Sequence, residues 1–386
     1  KHCGVKTKNK DKLDVAIIVS DVLANTASVY TKNKVQAAPI LVTKKHLENH
    51  KAQAIIVNSG NANACAINGE QHALSTCQKL AQELSINESD VVVASTGVIG
   101  QEINVSVILE GIPSLVKNLN RNDQEAAAAI MTTDTTSKSI AYEFEIDGKT
   151  AHIGAIAKGS GMIHPNMGTM LCFITTDVAI NEVILQKALL NAVNVSFNRV
   201  SVDGDSSTND MCTIMANGLA LNQEIVSMDA NYSIFCQALE TVCIDLAKKI
   251  AADGEGANHL ITCVVSGAPS ILEAETMAKS VIASSLVKTA IFGSDANWGR
   301  VICAMGYSGV DFDPNQVSID FASKAGKISV CQYGKGLAFS EDLAKKILLE
   351  HNIVIEINLN LGHESCTAWG CDLSYDYVKI NGDYRS

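Results

Sequence analysis

Nothing in this sequence supplies the basic stripe that a nucleic-acid backbone requires. Its 30 Lys and Arg stand against 41 Asp and Glu, a formal charge of −11, so nucleic acid and anionic membrane surfaces both lack an electrostatic partner here. A small zwitterionic substrate escapes that exclusion, because a few local Lys or Arg suffice to hold a carboxylate. No apolar run reaches eighteen residues, and no signal peptide or lipidation motif is found; a protein of the reduced cytoplasm is expected. Internal repeats, low-complexity linkers, the P-loop and the dinucleotide glycine pattern are missing as well. The twelve cysteines are scattered singly, mostly in apolar segments where Cys acts as a small hydrophobe. The nearest pair, Cys366 and Cys371, has no second pair to complete a zinc set. What remains is a chain of 386 residues with 47% hydrophobic and 18% charged residues, long enough for a large core and about two domains.

The first half alternates apolar strands with polar loops and helices, the pattern of a layered α/β domain. Val15–Val19, Ala54–Val57 and Val91–Ala94 read as buried strands. Two of them end in small polar turns, Asn58–Cys65 and Ser95–Gly100, and loops standing on rigid strands are where ligands are usually held. Helical spacing marks 69–84 and 123–131. Tyr142–Ile146 and Thr150–Ile156 alternate around Asp147-Gly148, a hairpin signal. Later helices are expected at about 181–197, 222–252, 272–286 and 341–350, with strands at 170–176, 211–216 and 260–265. Phe292–Arg300 reads as a polar turn opening the segment Val301–Met305, and 375–386 as a polar tail. The loop before Thr169 is the candidate domain boundary.

Several polar stretches admit two readings. Thr132–Thr136 is either a helix end with Asx and Thr turns or the hydroxyl-lined wall of a pocket. Ser201–Asp210 has the acid spacing of a calcium loop, but it lacks the bidentate Glu at the twelfth position and runs into a strand, so metal is the weaker reading. Gly254-Glu255-Gly256 is either a glycine cap with a solvated acid or a bend that presents Glu255. Thr169, between Gly168 and the strand Met170–Ile174, is either an ordinary strand opening or a self-cleaving nucleophile. For the second reading, Gly168 tolerates strained backbone, and the α-amine freed by cleavage can serve as the base of Thr169.

Eight segments in order resemble the ornithine acetyltransferase family, the glutamate N-acetyltransferases of cyclic arginine biosynthesis. They are Asn58–Cys65, Ser95–Gly100, Met131–Thr135, Lys158–Met162, Asp203–Asp205, Asp253–Ala257, Asn297–Arg300 and Cys371–Ser386, so the resemblance covers nearly the whole chain. It implies an N-terminal-nucleophile-hydrolase-like αββα sandwich of the aminopeptidase/ornithine acetyltransferase type, with a second, smaller α/β domain. It implies a precursor cut between Gly168 and Thr169 into an α chain, 1–168, and a β chain, 169–386, which both build the central core and pair as α2β2.

The implied reaction moves an acetyl group from N2-acetylornithine to glutamate through an acetyl-Thr169 ester, with no metal or organic cofactor. Some members also accept acetyl-CoA as donor. By resemblance Thr169 is the nucleophile, and Thr96 and Gly97 form the oxyanion hole. Thr135, Lys158, Thr169, Glu255, Asn381 and Ser386 bind substrate. The chemistry agrees with the residue types: an attacked acetamide needs preorganised donors, Lys158 suits an α-carboxylate and Glu255 a side-chain ammonium. One departure is Gly168, where the family usually has Ala. An amidase or aminopeptidase of the same fold, with water as acceptor, is the nearest rival, and a non-enzymatic amino-acid-binding protein the second.

Overall fold

In the chain's first 58 residues a single strand, β1 (Val15–Tyr30), serves two partners in turn. Its first half pairs antiparallel with β2 (Lys51–Asn58), from Val15 opposite Asn58 to Asn25 opposite Lys51. Its second half, Asn25 to Tyr30, pairs with β8 (Met211–Ala216), and the register shifts between Val19 and Ala24. The computed structural model describes residues 1–6, 12–120, 123–164 and 170–382. Gly168, Thr169 and Ser386 lie outside the described residues.

Before β8 the chain forms α1 (Ala38–His46), α2 (Gly69–Leu84), β3 (Val91–Ser95), α3 (Val105–Lys117), α4 (Asp123–Ala129), β4 (Lys138–Ile146), β5 (Lys149–Lys158), β6 (Leu171–Thr176), α5 (Glu182–Val195) and the short β7 (Val200–Ser201). After it come α6 (Ala230–Ala252), β9 (Leu260–Ala268), α7 (Ile271–Ala283), α8 (Ser285–Phe292), α9 (Trp298–Gly306), β10 (Ser318–Ser323), β11 (Gly326–Gln332), β12 (Lys335–Gly336), α10 (Glu341–Leu348), β13 (Asn352–Asn358), β14 (Glu364–Cys371) and α11 (Tyr375–Gly382). These residues group into two units, one of 1–198 with 205–246 and one of 199–204 with 247 onward.

The first unit holds a seven-stranded sheet in the order β3-β2-β1-β8-β6-β5-β4. Laid flat, β3 and β5 would stand five strand spacings apart, about 24 Å. They do not: the side chains of Lys158 on β5 and Thr96 just past β3 approach to 3.5 Å. The sheet therefore folds over at β1, and its halves face each other. Ile55, Val57, Val92 and Ala94 of one half join Ile156, Leu171, Phe173 and Met211 of the other in one buried cluster. Outside the first half, Ala73, Cys77 and Leu80 of α2 and Ile108 and Ile112 of α3 pack on Ala54, Ile56, Val91 and Val93. Outside the second half, Cys243 of α6 comes close to Cys212 of β8, itself beside Cys172 of β6. Helix, sheet, sheet, helix is the layering the resemblance implied.

The second unit has its own mixed sheet, β12-β11-β10-β13-β9-β14-β7. β9 and β13 alternate buried and partly exposed residues, the period of a sheet with one covered face. That face carries Ile261, Cys263, Val265, Ile353, Ile355 and Ile357 against Met277 and Val281 of α7 and Ile347 of α10.

Some expectations change. The loop before Thr169 is not a boundary between units, because β5 and β6 on its two sides pair from Ile153 opposite Thr176 to Lys158 opposite Leu171. α6 starts at Ala230 rather than near 222, since the Asn222 side chain is occupied with both backbone groups of Ala179. Ser284 caps a new helix, ending the one expected to reach 286. Val301–Met305 lies within α9, capped by Asn297, and the tail is helical from Tyr375 to Gly382. α3 escaped the sequence reading, its pattern interrupted by Pro113. The hairpin holds: Asp147 and Gly148 have φ of 52° and 67°, the left-handed pair of a type I′ turn.

Candidate active site

The polar ends of β2 and β3 meet first. Asn58 accepts the N–H groups of Gly60 and Asn61 at 3.2 and 3.1 Å and donates to the Ser95 hydroxyl at 2.6 Å. Its carbonyl takes the Thr96 N–H at 2.9 Å. Chain from the far half of the sheet closes this corner: the Asn209 side chain donates to the carbonyls of Ala62 at 2.6 Å and Ser95 at 2.8 Å. Gly97 follows with φ of 132°, and a Cβ there would stand 2.7 Å from the carbonyl carbon of Gly60. Only glycine fits such a conformation at so close an approach. Thr96 is buried, 5% exposed.

Lys158, at the end of β5, is 2% exposed and its Nζ stands 3.5 Å from Thr96 Oγ1. Beside it lies Asp134, buried in the stretch between α4 and β4. Asp134 accepts from Lys138 Nζ at 2.8 Å, the Gly159 N–H at 2.7 Å and the Thr132 N–H at 3.0 Å. Burial alone would raise its pKa, but Lys158, Lys138 and the Gly159 amide outweigh burial and hold the carboxyl well below the usual range. Thr135, one residue on, is exposed. The Thr132–Thr136 stretch therefore contains a turn built on Asp134, whose carboxylate takes the Thr132 N–H.

Asp210 behaves in the opposite way. Its Oδ1 accepts the Met170 N–H at 2.8 Å, while Oδ2, fully buried, has no hydrogen-bond partner among the described residues. Burial pushes its carboxyl well above the usual range, against the pull of the Met170 amide, Thr31 and Lys158. Lys6 also feels Lys158; burial first, and then its cationic neighbours, lower its pKa to about 8. Among the described residues no group of three His, Cys, Asp or Glu is arranged to hold a metal.

In the second unit, Glu255 is 7% exposed, so the reading of a solvated acid fails. Asn381 Nδ2 donates to its Oε2 at 2.7 Å. Gly256 has φ of 69°, and a Cβ there would lie 2.6 Å from the Tyr377 nitrogen; at Gly254 it would strike the Cys371 sulfur. Asp372 receives the N–H groups of Asn258 and His259 at 2.8 and 2.9 Å, and Ser374 donates to the Gly256 carbonyl at 2.6 Å. The segment before α11 therefore sets the loop that carries Glu255.

The structure brings Thr96, Gly97 and Lys158 into one corner and Glu255 and Asn381 into another; Gly168, Thr169 and Ser386 are outside the described residues. The sequence reading passed over Asp134, Lys138, Asn209 and Asp210 as functional groups. Asp210 stood in plain view as an acid opening an apolar strand, and its burial alone makes it unusual.

A buried hydroxyl, a left-handed glycine amide and a buried cation at strand ends of a layered α/β sheet are the kind of groups an acyl-transfer enzyme uses. The ArgJ family matches over residues 1–386. The chain is 50% identical over 385 residues to arginine biosynthesis bifunctional protein ArgJ 1 of Clostridium acetobutylicum, covering 99% of this chain and 94% of that one. It is 48% identical over 388 residues to ArgJ of Listeria monocytogenes serovar 1/2a, covering 100% and 96%. The crystal structure of ArgJ from Bacillus halodurans matches with a TM-score of 0.52 and 46% identity, over 55% of this chain and 98% of that one. The chain belongs to the ArgJ family, and with that membership goes an acetyltransferase activity in arginine biosynthesis.

Proposed function

We propose that the enzyme carries an acetyl group from N2-acetylornithine to glutamate on Thr169, after its own cleavage between Gly168 and Thr169. The observation that carries this reading is the corner itself: the Thr96 hydroxyl 3.5 Å from the buried Lys158 ammonium, next to the constrained Gly97. Attack on the acetamide carbonyl makes an oxyanion, and the Thr96 hydroxyl and Gly97 N–H are its donors. The α-amine of Thr169, with an ordinary pKa of about 7.7–8.0, takes the hydroxyl proton. The α-ammonium so formed gives that proton to the departing ornithine amine, and the glutamate amine then attacks the acetyl ester and releases the Thr169 hydroxyl, so the kinetics are ping-pong.

Lys158 and Thr135 meet the substrate's α-carboxylate, Glu255 with Asn381 the ornithine ammonium, and Ser386 adds a further contact. Each step is a proton or acyl transfer between groups named here, so the mechanism calls on no metal or organic cofactor. The cut leaves fragments 1–168 and 169–386 sharing one sheet, because β6 is paired to β5 on one side and β8 on the other. Those ladders support a lasting αβ unit, doubled to α2β2 in the cytoplasm. Incubation of the purified enzyme with N2-acetylornithine and glutamate yields N-acetylglutamate. A parallel incubation with acetyl-CoA and glutamate shows whether that donor is also used. No product in either sinks the proposal.

A further inference from the structure

An oxyanion hole built on a hydroxyl has a weakness that one built on backbone amides lacks: the proton can rotate away. Something must fix the Thr96 rotor, and the group in place to do so is Lys158. An ammonium has three protons to donate and no lone pair to accept with. In the Lys158–Thr96 contact of 3.5 Å, Thr96 Oγ1 is therefore the acceptor, and its own proton is left to point elsewhere. The cation also adds positive potential where negative charge develops.

This works only while Lys158 stays charged, although it is 2% exposed, and burial favours the neutral amine. Among the described residues, the groups that act on it include Asp134 before β4, itself held by Lys138 of β4, Lys6 of the N-terminal segment, Asp210 before β8 and Thr96 after β3. Of the two acids, Asp210 is driven toward its neutral form and Asp134 toward its charged one. Asp134 also receives the N–H of Gly159 at 2.7 Å, the residue joined to Lys158, so it holds the backbone that places the lysine and sets a negative charge near it. Resting on the proposed function above, we infer that Asp134 is a positioning residue for the oxyanion donor. It acts through Lys158, whose work is to orient the Thr96 hydroxyl rather than only to bind a carboxylate.

The test is steady-state acetyl transfer by the full chain, with kcat expressed per cleaved chain as read on a denaturing gel. Asp134→Asn retains shape and one carbonyl acceptor. It should lower kcat about 10- to 100-fold, somewhat less than loss of a whole oxyanion donor, and change KM for N2-acetylornithine less than threefold. The alkaline limb of its kcat–pH profile should move to lower pH, because Lys158 without its anion loses its proton sooner. Lys158→Gln should lower kcat alike, and the double variant no further than Lys158→Gln alone. A rise in KM at constant kcat, or a kcat loss with an unmoved pH profile, overturns the inference. If Asp134→Asn does not fold, Asp134→Glu, which keeps the anion, decides it: a kcat within about tenfold of wild type with an unmoved alkaline limb supports the inference, and a rise in KM at constant kcat overturns it. A wild type that transfers no acetyl group removes the proposed function and this inference together; an active wild type with a fully active Asp134→Asn removes the inference alone.

Discussion

Thr96 and Glu255 are both buried polar residues at loop ends, but they are secured in different ways. Around Thr96, stretches far apart in sequence converge: Asn58 and Asn209 bond to Ser95, and Lys158, whose neighbour Gly159 is held by Asp134, approaches from the other half of the sheet. Among the described residues the hydrogen bonds that hold the Glu255 loop come from the segment 372–381, and its carboxylate is met by a neutral amide on an exposed residue. Under the proposed function, the difference marks a division of labour. Donors to an oxyanion must be fixed before the reaction, because their value lies in needing no reorganisation. A carboxylate that recognises an ammonium can adjust as the substrate arrives, so substitutions in the first region should appear in kcat and those in the second in KM.

The sharpest division comes from Thr169→Ala, which should abolish both the fragments of 1–168 and 169–386 on a denaturing gel and all acetyl transfer. Thr96→Val keeps size and removes one donor; kcat should fall about 10²–10³-fold with KM little changed. Glu255→Gln should raise KM for N2-acetylornithine about tenfold and leave kcat within a factor of three; an equal fall in kcat would erase the contrast. Asn209→Ala strands the carbonyls of Ala62 and Ser95, each costing about 1–3 kcal/mol when buried without a donor, read as a lower urea midpoint at unchanged slope.

The remaining effect, at Asp210, is one of pH. Its folded pKa is raised, so its stabilising contribution is complete below the unfolded carboxylate pKa and is lost as pH rises toward the folded value. Asp210→Asn lacks this dependence; relative to wild type it should gain stability as pH rises from 4 to 8, measured by urea denaturation at each pH. A pH-independent difference would show that Asp210 titrates alike in the folded and unfolded chain.

Most strands could be located from the sequence because burial on one or both faces leaves a pattern of period two or a short apolar run, as at 54–57, 91–94 and 211–216. Helices were less reliable where a local bond competed with the pattern: Ser284 starts a new helix and Pro113 disguises one. Thr96, Gly97, Lys158 and Glu255 stood out through family motifs. Asp134 was overlooked beside Thr135, since neither its burial nor its lysine partners leave any trace in spacing.

The order of strands and polar loops, the absence of a basic surface and the placing of small residues at 97, 254 and 256 were determined by the sequence itself, because each follows from local sterics or composition. The folding of the sheet at β1 was decided only by the tertiary structure. Pairing is a long-range event: Lys158 and Thr96 are 62 residues apart, and no periodicity brings them together. The opposite fates of Asp134 and Asp210 were decided there too. A carboxylate's charge state depends on what surrounds it after burial, and two acids identical in sequence terms come to rest within the field of one lysine with opposite outcomes.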